Sequence, residues 1–199
     1  MDNIKTTVMK HSLLLIIAIL LVHVANAQKK FERETSMKSS RVAEKARIYV
    51  ESLFPDSKKI KWYLEESLEG VMVEAKIKEN SSIYSIKFDT LGTLYDIERT
   101  QKFDKLPMAV QGNVMAYLKK RYKSFKIKKT QIQWIGDPDV LHSLIKKDDT
   151  ENNYTTNYEI VYSGRENKDA MSYESLFDHG GNHIETKEII ERNLNHLLY

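Results

Sequence analysis

Apolar and polar positions change period several times along this chain, and each change marks an element. Val42, Ala46, Tyr49, Val50 and Leu53 recur at three- and four-residue spacing, which predicts a helix with one apolar stripe. Ser39 or Ser40 would accept from its first free amides. Phe54-Pro55 ends it, because proline disfavours helical geometry in the residue before it. From residue 71 the period is two: Val71, Val73, Ala75 and Ile77 fall on one face, and Met72, Glu74, Lys76 and Lys78 on the other. Tyr84, Ile86 and Phe88 alternate in the next strand, a turn follows over 89–92, and a further strand runs to 98. A second helix starts at Pro107, which suits a first helical turn, with Val110, Val114, Tyr117 and Leu118 as its stripe. Strands over 132–135, 157–163, 171–177 and 183–190 come next. Ile190, Leu194, Leu197 and Leu198 predict a short amphipathic helical tail over 191–199.

Parts of this pattern occur twice. Tyr84-Ser-Ile-Lys-Phe88-Asp89-Thr-Leu-Gly92 matches Tyr173-Glu-Ser-Leu-Phe177-Asp178-His-Gly-Gly181 with the same Tyr-x3-Phe-Asp-x2-Gly spacing. Ile60-Lys61-Trp62 is echoed by Ile132-Gln133-Trp134, and Tyr49-Val50-x3-Phe54 by Tyr117-Leu118-x3-Tyr122. Matches in the same order predict an α+β protein of two tandem α-β-β-β-β repeats, over 37–104 and 105–190. The expected product is an antiparallel sheet, at most eight strands if continuous, with its helices on one face and water on the other. The growing offset between matches puts an insertion around 136–156, where Asp137-Pro138-Asp139 reads as loop punctuation. Residues 28–36 read as a disordered N-terminal segment.

Residues 1–27 follow the order of a secretory signal peptide: Lys5 and Lys10, an apolar run over 13–24, then Ala25-Asn26-Ala27. The run falls short of the roughly 20 residues that span a bilayer, so no stable membrane anchor is expected after cleavage, which would leave Gln28 first. The chain has no Cys, which excludes disulfides and a thiol-linked lipid. The expected location is therefore the periplasm or the exterior of a Gram-negative-type cell. Composition is that of a globular protein, with 41% hydrophobic and 30% charged residues. Losing Lys5, Lys10 and Asp2 with the leader leaves 29 basic and 27 acidic side chains, too even a balance for a nucleic-acid binder. The run Lys119-Lys120-Arg121 reads as a solvated helix end.

The helix, the I-x-W strand and the Tyr-x3-Phe-Asp-x2-Gly hairpin together resemble the PepSY-like family of secreted bacterial proteins, described as similar to β-lactamase-inhibitor proteins. The resemblance spans about 37–190. It implies a non-catalytic periplasmic module that presents a sheet surface to another protein, and it suggests protease or hydrolase inhibition. The chain departs from the disulfide-containing inhibitors in having no Cys.

Candidate chemistry is sparse. Asp178, His179, His183 and Glu185 bring metal-ligating types together, and a metal-dependent enzyme using them is one alternative. Their Gly-Gly centre reads instead as a hairpin turn, so no metal or other cofactor is expected. Asp89 and Asp178 each precede a turn glycine and read as turn caps rather than a catalytic pair. No Gly-x-Ser-x-Gly or comparable nucleophile signature occurs. Trp62 and Trp134 read as core. Tyr63 falls opposite Trp62 and, with Met72, Glu74, Lys76 and Lys87, would line the uncovered sheet face as a binding surface. The expectation is thus a binding module for an unidentified periplasmic or envelope protein or peptide, with a small-ligand carrier as a further alternative.

Overall fold

The computed structural model describes residues 28–57, 59–148 and 153–190. The leader expected over 1–27 and the helical tail expected over 191–199 lie outside the described residues. Two N-terminal strands, β1 (Gln28–Lys30) and β2 (Glu32–Met37), precede a single 3-10 turn at Ser39–Arg41. Helix α1 (Glu44–Leu53) then leads into a meander of β3 (Ile60–Ser67), β4 (Gly70–Glu79), β5 (Ser82–Phe88) and β6 (Leu94–Thr100). After α2 (Met108–Arg121) come β7 (Ser124–Gly136), α3 (Pro138–Lys146), β8 (Tyr154–Arg165), β9 (Ala170–Phe177) and β10 (His183–Ile189). The fold is mixed α+β around one ten-stranded sheet in the order β1-β10-β9-β8-β7-β6-β5-β4-β3-β2.

Helix α1 starts later than Ser39 or Ser40 would set it. Val42 is drawn into the core in an extended conformation, which breaks the path from the 3-10 turn, and Ala43 precedes the helix without a side-chain cap. Its buried Ala46, Val50 and Leu53 are the predicted stripe, as are Val110, Val114 and Leu118 of α2. Helix α3 falls inside the stretch read as an inserted loop. Asp137 Oδ1 accepts from Asp139 N at 2.9 Å, Pro138 opens the first turn, and Lys147 closes the helix in a left-handed conformation.

The helices cover one face, where two apolar clusters form. Trp62, Ala75, Ile77, Ile86, Phe88 and Trp134 pack with α1 and with Leu141 of α3. Tyr158, Ile160, Tyr162, Tyr173 and Phe177 pack with α2. The two hairpins of the Tyr-x3-Phe-Asp-x2-Gly pattern share their geometry. Asp89 Oδ1 accepts from Leu91 N and Thr93 N, and Asp178 Oδ1 from Gly180 N and Asn182 N. Each is followed by an irregularity that puts Phe88 opposite Leu94 but Lys87 opposite Asp96, and Phe177 opposite His183 but Leu176 opposite Glu185.

The N-terminal strands decide what happens to the other face. Residues 28–36, expected to be disordered, instead supply β1, parallel to β10, and nearly all of β2, antiparallel to β3. Only Phe31 separates the two strands, yet they pair with opposite ends of the sheet. Both edges, whose unpaired amides and carbonyls would otherwise face water, are thereby covered by one segment. A single-residue step cannot cross an open sheet, so the ten strands curl into a near-barrel with the helices outside. The face expected to be wet turns inward.

Candidate functional site

The inward face is polar and buried. Glu65, Glu74, Asp96, Glu98, Gln131, Asn157 and Glu159 are each at most 9% exposed. Glu65, Asp96, Glu98, Asn157 and Glu159 line a cavity of about 290 Å³, whose wall carries eight carboxylates and four lysines. Strand alternation explains how they meet. Pairing aligns Tyr63, Glu74, Lys87 and Asp96 across β3 to β6, and Glu98, Gln133 and Asn157 across β6 to β8. Gln131 Nε2 donates to Glu98 at 2.5 Å, Gln133 Nε2 to Asp96 Oδ2 at 2.8 Å, and Asn157 Nδ2 to Gln133 Oε1 at 3.0 Å. Lys30 of β1 bridges Glu174 at 2.6 Å and Glu32 at 2.9 Å, and Lys187 of β10 reaches Glu69 at 2.5 Å. The Lys30 contacts tie the closing segment to the wall, and the Lys187 contact joins β10 to the β3–β4 turn.

Burial dominates the electrostatics. Asp96 is pushed up to about 7 by burial and then by Glu98, while Lys87 and Gln133 pull it down. Glu98 and Glu159 rise to about 7 as well, first from burial and next from Glu159 and Glu174 respectively. Burial opposes the charge on Lys87, but Glu98, Glu65, Asp96 and Glu32 outweigh it and hold the ammonium protonated. Lys30 is held in the same way by Glu159, Glu174 and Glu32.

A pH dependence follows. A carboxyl raised in the folded state binds its proton more tightly there than in the unfolded chain. Its stabilisation is complete below the unfolded value near 4 and is lost as pH rises through about 7. His183, lowered by burial, works in the opposite direction below 6.5, one group against three. Calorimetry should therefore show the protein more stable at pH 5.5 than at pH 8, by at least about 1 kcal/mol. A stability that rises from pH 5.5 to pH 8 would remove the buried-carboxyl account.

The five residues expected to form an open surface share the inward face but divide between two places. Met72 and Lys87 line the cavity. Tyr63 and Lys76 line a second hollow of about 590 Å³, where Lys76 Nζ sits 5.1 Å from the Tyr63 ring centre. Glu74, 3% exposed, lies beneath Lys76 at 3.1 Å. The expectation of a solvated face is thus corrected by the curl of the sheet. Sequence reasoning missed Lys30, Asp96, Glu98, Glu159 and Glu174. Asp96 and Glu98 did carry a signal, since they alternate with the buried Ile97.

The structure does not gather Asp178, His179, His183 and Glu185 into one centre. Asp178 caps its turn, and hydrogen bonds from Asn182 hold its carboxyl below the usual range. His179 is exposed. His183 stacks on Tyr117 at 4.1 Å on the helix side, whereas Glu185 joins the cavity wall. The irregularity between His183 and Glu185 sends these two residues, two positions apart, to opposite faces. Among the described residues the carboxylates that approach one another as metal ligands would are Glu34, Glu65 and Glu74, within 4.8 Å. Lys76 Nζ already lies 2.6 Å from Glu34 and 3.1 Å from Glu74.

Structural comparison returns proteins that share this fold. A DUF2874 family protein from Bacteroides uniformis superposes with TM-score 0.53 at 14% identity, covering 74% of this chain and 89% of that one. A DUF2874 family protein from Bacteroides ovatus gives 0.52 at 11%, covering 74% and 87%. A BLIP-like protein from Bacteroides fragilis gives 0.46 at 15%, covering 74% and 86%. The likeness is one of fold. No protein-family model and no curated protein matches the sequence. No helix among the described residues is long and apolar enough to cross a membrane.

Proposed function

We propose that the chain is an exported, non-catalytic binding module of the PepSY-like kind, working in the periplasm or outside the cell. Its partner is a protein or peptide of the envelope, one group of which enters the inward cavity, in the manner of an inhibitor-like protein. The observation that carries this reading is the charged interior. Removing carboxylates and lysines from water costs several kcal/mol per ion, and well-packed apolar residues of similar volume would serve stability as well or better. An interior kept polar at that cost reads as a receptor.

The proposal includes an origin by doubling of one α-β-β-β-β unit. Its support is the set of turn bonds, strand irregularities and turn glycines that recur 89 residues apart, at Asp89 and Gly92 and again at Asp178 and Gly181.

The test is affinity capture from the envelope of the producing cell with the mature protein and with Leu176→Trp, which fills the cavity from a half-buried wall position. The expected result is a partner retained by the parent and lost by the variant, with both folded. A partner retained equally by both would overturn the cavity reading.

A further inference from the structure

We infer that the cavity takes an organic ammonium group carried on a short apolar stem: the end of a lysine side chain or a free alkylamine. This rests on the binding reading above and adds the chemistry of what enters. Three observations converge on it.

The first is an oxygen without a partner. Asp96 is 1% exposed and lines the cavity, its Oδ2 accepts from Gln133, and its Oδ1 has no hydrogen-bond partner. A buried acceptor left unpaired is expensive, so an unused one on a cavity wall marks where a donor would gain most.

The second is the charge balance around it. Of the four wall lysines, Lys30 is engaged by Glu32 and Glu174, and Lys187 by Glu69 and Glu185. Lys87 stands 3.5 Å from Glu65 and 4.0 Å from Glu98, one ammonium shared among several carboxylates and beyond the roughly 2.7–2.9 Å of a charge-assisted hydrogen bond to any of them. Lys29 is exposed. The group formed by Asp96, Glu98 and Glu159 is therefore short of one cation. The molecule answers the same problem elsewhere with an ammonium, since Lys76 Nζ sits between Glu34 and Glu74.

The third is the order of chemistry from mouth to floor. Leu68, Tyr95 and Ile135 of the wall are 68%, 58% and 39% exposed, whereas Asp96, Glu98 and Glu159 are 1%, 4% and 9% exposed. An apolar rim above an acidic floor suits a stem that enters charge first. A bare metal ion would need the floor but not the rim.

The experiment is titration calorimetry on the mature protein at pH 7, with n-pentylammonium, n-pentanol, calcium chloride and a short peptide holding one lysine. Saturable one-to-one binding of pentylammonium is expected, with pentanol at least about tenfold weaker. Asp96→Asn keeps the shape, removes the charge, and should weaken binding by at least about tenfold without lowering the melting temperature. Leu176→Trp blocks the stem without touching a charge and should abolish binding. Binding should also release protons, seen as an enthalpy that varies with the buffer. The ammonium displaces protons from Asp96, Glu98 and Glu159, which face Glu65, Lys87, Lys129, Lys30 and Glu174 on the neighbouring strands. A peptide that binds more tightly than pentylammonium assigns the site to a polypeptide lysine, and the reverse order to a free amine. Preference for calcium, equal binding of pentanol, indifference to Asp96→Asn, or no binding by either amine would overturn the inference. Partner capture that is blocked by Leu176→Trp but unaffected by Asp96→Asn would sink the ammonium chemistry while leaving the binding reading intact.

Discussion

Lys87→Met is expected to destabilise the protein by about 3–5 kcal/mol at pH 8, because it strands buried carboxylates whose shared counterion is removed. The lysine side chain is 15% exposed and faces Glu65 and Glu98, which are 6% and 5% exposed. Methionine nearly matches the lysine stem in length, so little of the loss comes from packing. The deficit should shrink at pH 5.5, where Asp96, Glu98 and Glu159, raised to about 7, take up protons and need no counterion. Urea midpoints at the two pH values provide the measurement. A loss below about 1 kcal/mol at pH 8 would mean that water reaches these groups as at an ordinary surface pair.

Gly181→Ala is expected to cost about 2–4 kcal/mol, combining left-handed strain with overpacking. Gly181 has φ +82°, and a Cβ there would lie 2.8 Å from Val110 Cα and 3.0 Å from Val110 O. Those are backbone atoms of α2 and cannot swing away. Gly92, at φ +81°, meets Ala43 Cβ at 2.8 Å and Lys45 Cγ at 3.0 Å; the alanine Cβ is fixed to its backbone, so Gly92→Ala should cost a comparable amount. Gly112 is the internal control. It is an exposed position in α2 with nothing within 4 Å of a Cβ, and Gly112→Ala should stabilise by about 0.5–1 kcal/mol. Thermal melts of the three variants give the ranking, and equal losses at Gly181 and Gly112 would contradict the close approach of turn and helix.

These positions also mark how far the sequence can be read. The Tyr-x3-Phe-Asp-x2-Gly hairpins were legible because turn chemistry is local: an Asx cap, a left-handed glycine and an alternating strand fix one another within nine residues. The I-x-W match does not hold in register. Val73 lies opposite Phe88 as Tyr158 lies opposite Phe177, so the counterpart of Ala75 is Ile160. Trp62 faces Ala75, but Ile160 faces Thr130, and Trp134 sits four residues further along. Period two recurs anywhere along a strand and cannot set register by itself.

Helix α3 was read as a loop because Asp-Pro-Asp suits both a turn and a helix start. Val140, Leu141, Leu144 and Ile145 beyond it carried the deciding spacing. The inward polar face was out of reach for a different reason. Alternation separates two faces of a sheet but says nothing of its curvature, so the polar positions of the strands, Glu74 among them, read as solvent-facing. Their burial depends on β1 and β2, a polar stretch with no apolar stripe, which is ordered by the two edges it covers and by Lys30.

That closure is the claim on which the cavity, the raised carboxyls and the proposed ligand all depend. Native-state hydrogen exchange on the protein tests it directly, at the amides of 29–37 and 187–190. The account predicts protection at those amides of both stretches that pair between β1 and β10 or between β2 and β3, including Ile190, whose amide donates to Lys30 O at 3.0 Å. Exchange at unstructured rates over 29–37, with β3 to β9 still protected, would contradict it and restore an open sheet.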